Sequence, residues 1–138
     1  VGRDDSMAPV TVRLAAAGIA IHAINHLIVL VIPPTGWNVG TVYHLLGAPV
    51  YAALLLPILA GCGWARVTIT VLLGCQFAGR FVVWILFPES GVRLALLAGW
   101  ALSLAVLTLL WLPRASRRHF RASALPAAGR AVPGADPA

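Results

Sequence analysis

The chain has 138 residues, 60% hydrophobic and 10% charged, where soluble domains carry about a quarter charged residues. Its net charge of +6 comes from arginine alone, with no lysine. The arginines flank apolar runs of about 20 residues, the length that crosses a bilayer core. A soluble domain and a nucleic-acid binder are thereby excluded, and the length leaves room for one compact membrane unit.

Residues 1–12 hold no core-forming pattern and read as a disordered segment. The single methionine is Met7, which leaves two starts open, Val1 or Met7. A first span is predicted over 14–32. It stops at Pro33-Pro34, because proline cannot continue a helix and restricts the residue before it. The run is too long for a signal-peptide core and has no A-x-A site before the turn, so it reads as a retained helix. A turn follows, "PPTGWNVGT", in which Trp37 and then Tyr43 suit the membrane–water interface. The second span is predicted over 42–62, closing at "GCGWAR". The third covers 67–87 and ends at "PESG", and the fourth covers 92–112 and ends at "PRASRRHFR". Beyond it, "ASALPAAGRAVPGADPA" has no periodicity and reads as a disordered tail, so 114–138 divides into a basic juxtamembrane stretch and that tail.

The expected fold is therefore all-α, a four-helix transmembrane bundle over 13–113. Arg3, Arg13, Arg66, Arg114, Arg117, Arg118 and Arg121 fall at one end of it. The opposite turns carry Arg93, with Glu89 nearby. By the positive-inside rule both termini are cytoplasmic, in a multi-pass protein of the inner (plasma) membrane. "LIVLVIPPTG" (27–36) and "VVWILFPESG" (82–91) match in pattern. Two origins stay open: a duplicated hairpin, or two helices needing the same stop signal.

Several polar side chains interrupt the apolar runs. On the first span Gly18, His22, Asn25 and His26 form one stripe at helical spacing. His44, Gly47, Ala48 and Tyr51 do so on the second, and Gln76, Gly79 and Arg80 on the third. Small and polar residues mixed in this way let membrane helices approach and hydrogen-bond, so the three stripes are expected to share an interior. At about 1.5 Å per residue, His26 and Arg80 share one level and His22 and Gln76 another. Counted the same way, His26 and His44 stand roughly 9 Å apart in depth. A mid-helix arginine costs about 2.5–3.5 kcal/mol on insertion scales. No Asp or Glu lies in any span. Two readings stay open for Arg80: it snorkels to the outer headgroups while the histidines pin the helices together, or it takes neutral partners among Asn25, Gln76, Tyr51, a histidine and backbone carbonyls. Pro49 and Pro57 free the carbonyls of Leu45 and Ala53.

His22, Asn25, His26, His44, Gln76 and Arg80 form the candidate ligand site, and an unbalanced cation there suits an anionic or carbonyl oxygen. Haem would need His22 or His26 to pair with His44 across the bundle; no cofactor and no metal is assigned. Cys62 and Cys75 read as small packing residues. Arg114, Arg117, Arg118 and Arg121, with Phe120 free to dip into the interface, are candidates for lipid headgroup contact. Sequence motifs for nucleotide binding, nucleophilic hydrolysis and zinc peptidase chemistry do not occur. The leading expectation is a non-enzymatic accessory or scaffolding subunit of a membrane complex, with other membrane proteins or a second copy as partners beside the bilayer. The alternative is a binding module for a lipid, quinone or haem. Acid–base catalysis by His26 or His44 ranks third.

"WARVTITVLLG" and "LLWLPRASRRHFRA", within residues 64–121, resemble small four-helix actinobacterial integral membrane proteins of unknown function. The likeness rests on an arginine-led helix and a tryptophan-proline-basic exit. It implies four helices with cytoplasmic ends and no particular activity, and it does not extend to "HAINH".

Overall fold

The computed structural model describes residues 7–31, 37 and 39–123. They form five helices: α1 (Val10–Val31), α2 (Val39–Leu59), α3 (Gly63–Leu86), α4 (Ser90–Trp111) and α5 (Arg114–Ala122). No strand occurs among the described residues. The first four are long and apolar enough to cross a membrane; 22 residues at 1.5 Å each span about 33 Å, against a hydrocarbon core of about 30 Å. The Pro33-Pro34 stop and residues 1–6 and 124–138 lie outside the described residues; the segment 1–12, read from sequence as disordered, is helical from Val10 on, and Val12 is fully buried in the core.

Each helix starts two to four residues before its expected span, because first turns tolerate residues that hydropathy discounts. Pro9 opens α1, its carbonyl accepting from the amides of Val12 and Arg13. Glu89 precedes α4 and Pro113 precedes α5. The end of α2 is a Schellman turn. Gly61, at φ 77°, donates to the Ile58 carbonyl and Cys62 donates to that of Pro57. Glycine is the residue for that left-handed position. Pro49 and Pro57 are both accommodated within α2.

The spans form an antiparallel ring, α1 against α2 and α4, and α3 against the same two. Buried side chains divide it into two storeys. The half nearer the described chain ends is a dry apolar core that includes Val12, Ile19, Ile58, Ile69, Leu73 and Leu110. Above it lies a polar layer. On each helix burial stops there: His26 is the last buried residue of α1, Arg80 the last of α3, Ala48 the first of α2 and Ser103 the first of α4. Leucine, isoleucine, valine and phenylalanine cover the outside, and at most 39% of any span's apolar window is buried. Such a surface needs lipid or protein around it rather than water.

α5 folds back beneath the ring against α4 and α1. Phe120 packs inward at 4% exposed, so it does not dip into the interface as its sequence position suggested. Ser116 donates to the Leu109 carbonyl (2.7 Å), His119 Nε2 donates to that of Leu59 (3.0 Å) and Ser123 to that of Ala60 (3.1 Å). Those carbonyls belong to helix C-termini, where the last four lack partners in their own helix. Thr11 and Ser116 hydroxyls, 2.7 Å apart, tie the start of α1 to α5.

Candidate functional site

The polar layer is a circuit of side-chain contacts through all four spans. His26 Nδ1 and His44 Nδ1 lie 2.9 Å apart, joining α1 to α2. Tyr51 donates to Gln76 Oε1 at 3.3 Å, joining α2 to α3. Arg80 Nη1 donates to the Gly99 carbonyl and to Ser103 Oγ, both at 2.8 Å, joining α3 to α4. Ser103 Oγ lies 3.4 Å from His22 Nε2, returning the circuit to α1. Tyr51 stacks on both His22 and His26, with ring centroids 5.6 and 5.2 Å apart.

Two glycines make this closeness possible. The His26 ring lies flat on Gly47, where an added Cβ would stand 2.6 Å from Cε1. The Arg80 guanidinium lies on Gly99, where a Cβ would stand 2.8 Å from Cζ. Each helix thus presents bare backbone to the bulkiest polar group of its neighbour, the use that membrane helices make of small residues.

Five of the six expected residues meet here: His22, His26, His44, Gln76 and Arg80. Asn25 does not; it lies on the exposed side of α1. Consecutive helical residues point about 100° apart, and it is His26 that faces the interior. The expected gap in depth between His26 and His44 is absent. α2 begins at Val39 and α1 ends at Val31, so each histidine stands five residues from the same end of the ring. Arg80 takes a backbone carbonyl, as expected, and Ser103 in place of Asn25, Gln76 or Tyr51. Ser103 and Gly99 escaped the sequence reading, although their i, i+4 spacing of small residues was a usable signal.

Two features of the layer are unbalanced. Arg80 is 8% exposed, and no span holds a carboxylate. His26 is fully buried, and its Nε2 has no hydrogen-bond partner. A haem clamped between His26 and His44 does not fit, since their rings contact each other directly. Among the described residues no group of three histidines, cysteines or carboxylates converges on a metal position.

Above the layer, toward the first and third turns, α3 and α4 carry an aromatic wall. Trp100 donates Nε1 to the Phe77 carbonyl at 3.0 Å and packs on Phe81 and Trp84. Arg93 stands over Trp84 at 5.0 Å. Of the four arginines expected to meet headgroups, Arg114, Arg117, Arg118 and Arg121 all project from the exposed face of α5, at the opposite end of the ring.

No protein-family model, curated protein or solved structure matches the chain.

Proposed function

We propose that this is a non-enzymatic multi-pass protein of the inner membrane that binds a small molecule through an anionic or carbonyl oxygen at the Arg80 layer. Headgroups of lipids and the carbonyls of quinones share that chemistry. The observation that carries the reading is a buried guanidinium held only by neutral acceptors, in four spans without a carboxylate. Intramembrane cations mark functional sites because an uncompensated charge is costly in hydrocarbon. His26 Nε2, buried in the same layer, likewise has no hydrogen-bond partner, and an imidazole nitrogen can donate or accept. Beneath the layer the fully buried Ile19, Leu73 and Leu110 form an apolar floor, which favours a dead-end site over a path through the bilayer.

Native mass spectrometry of protein gently extracted from its own membranes tests this. Wild type should carry a bound small molecule that Arg80→Gln loses. A wild type without adducts, or an adduct unchanged in a folded Arg80→Gln, rejects the reading.

A second reading, an accessory subunit, rests on a different observation. Gly74 and Ala78 of α3 and Ala98, Ala101 and Ala105 of α4 are exposed, and the space beside Gly74 is open. Small residues on an outer face suit a partner helix. Affinity isolation from native membranes should recover a partner through this face, and Gly74→Leu should release it. A protein that runs as a lone monomer rejects the subunit reading.

A further inference from the structure

At the end of the ring that holds α5, three arginines converge without an acid. Arg66, in the first turn of α3, has its guanidinium carbon 3.5 Å from the centroid of the Trp111 ring and 5.1 Å from that of Phe120. Trp111 is fixed in turn, donating Nε1 to Thr70 Oγ1 at 2.9 Å, while Thr70 donates to the Arg66 carbonyl at 2.7 Å. Arg66 Nε is buried with no hydrogen-bond partner. Arg117 and Arg121 lie within one turn of Phe120 on α5, the ring that Arg66 approaches. They are held there, because the Ser116, His119 and Ser123 contacts lock α5 onto the helix ends. Among the described residues the one carboxylate is Glu89, at the far end of α4.

Beside this cluster lies a shallow, open surface groove of about 410 Å³, lined by Thr70 of α3 and by Leu107, Thr108, Trp111 and Leu112 along the end of α4. From the end of the ring inward, guanidinium groups and the Trp111 indole, with Leu112 at the rim, give way to the Thr70 and Thr108 hydroxyls and to Leu107. A phospholipid combines the same chemistries: phosphate, glycerol esters, acyl chain. Basic pockets beside membrane helices recognise such headgroups by charge, and the apolar groove supplies the length.

We propose that this corner is a binding site for an anionic phospholipid, with its phosphate among Arg66, Arg117 and Arg121 and an acyl chain in the α3–α4 groove. The site is separate from the Arg80 layer and does not depend on it.

The test is native mass spectrometry of the delipidated full chain, titrated with phosphatidylglycerol or phosphatidylcholine of identical acyl chains. One phosphatidylglycerol should bind in preference to phosphatidylcholine. Arg66→Gln, Arg117→Gln and Arg121→Gln should each reduce that preference about fivefold. Arg13→Gln, an arginine of the same end but of another helix, should leave it intact. Leu107→Trp, which fills the groove, should weaken both lipids. Equal binding of the two lipids overturns the proposal, as does an unchanged preference in Arg117→Gln and Arg121→Gln. These two exposed side chains keep the test decisive should Arg66→Gln not fold. Displacement of the lipid by millimolar inorganic phosphate also overturns it, because the corner would then be an anion site without a lipid.

Discussion

Ser103 is the smallest side chain of the polar layer and the one with the most hydrogen-bonding partners. It accepts from Arg80, contacts His22 and donates to the carbonyl of Gly99 one turn back. Hydrogen bonds between membrane helices contribute about 0.6–1.7 kcal/mol each. Ser103→Ala removes the Arg80 and His22 contacts together, so a loss of about 1–3 kcal/mol is expected from thermal unfolding in detergent. Asn25→Ala, on the exposed face of α1, should stay within about 0.5 kcal/mol of wild type. If the two variants melt alike, the circuit does not hold the helices together. The glycines make a complementary case. A methyl group at Gly47 meets the His26 ring, and one at Gly99 meets the Arg80 guanidinium. Gly99→Ala should cost about 1–3 kcal/mol as overpacking does, whereas Gly79→Ala, with open space beside it, should cost nothing measurable. These contrasts also explain what the sequence disclosed. Imidazole, guanidinium and carboxamide groups stand out in an apolar run because each is costly there, and five of the six so marked do meet. A serine can satisfy its hydroxyl on its own helix, as Ser103 does on Gly99, so its presence costs little and leaves no mark.

At the scale of elements, the four spans were legible because a bilayer sets their length, and their starts were displaced by two to four residues because first turns need no apolar character. α5 was half legible. Arg114, Arg117, Arg118 and Arg121 repeat at helical spacing, and that spacing holds. What the helix packs against could not be read, because its two inward residues, Ser116 and Phe120, and its latch, His119, contact carbonyls, a hydroxyl and a guanidinium supplied by other helices. Docking makes α5 a protected segment, since trypsin cleaves chain that opens locally rather than chain held in a packed helix. In detergent-solubilised protein Phe120→Ala should therefore speed tryptic cleavage between Arg114 and Arg121. His119→Ala, which leaves the Leu59 carbonyl without its side-chain partner, should do the same to a smaller degree. A cleavage rate equal to wild type in both variants means that α5 is not latched to the ring.

On the scale of the molecule, the two storeys give the bundle a direction. The apolar core and the arginine-bearing α5 lie at one end, and the polar layer with its loosely buried surroundings faces the other. Since the four spans are antiparallel, α5 and the start of α1 share a side, as the Thr11–Ser116 contact requires. That side holds Arg13, Arg66, Arg114, Arg117, Arg118 and Arg121 among the described residues, while the other holds Arg93 and Glu89. The positive-inside rule predicts the arginine end in the cytoplasm and the Arg80 layer outward. Single-cysteine labelling checks this in a Cys62→Ser, Cys75→Ser background. Serine suits position 62, which caps the N-terminus of α3, and Cys75 is exposed. With a membrane-impermeant maleimide on intact cells, Trp37→Cys and Ser90→Cys should label at once, and Arg118→Cys only after permeabilisation. The reverse pattern would place the open end of the polar layer in the cytoplasm. The Arg80 site would then draw its ligand from the cell interior, and the α5 arginines would face an external leaflet.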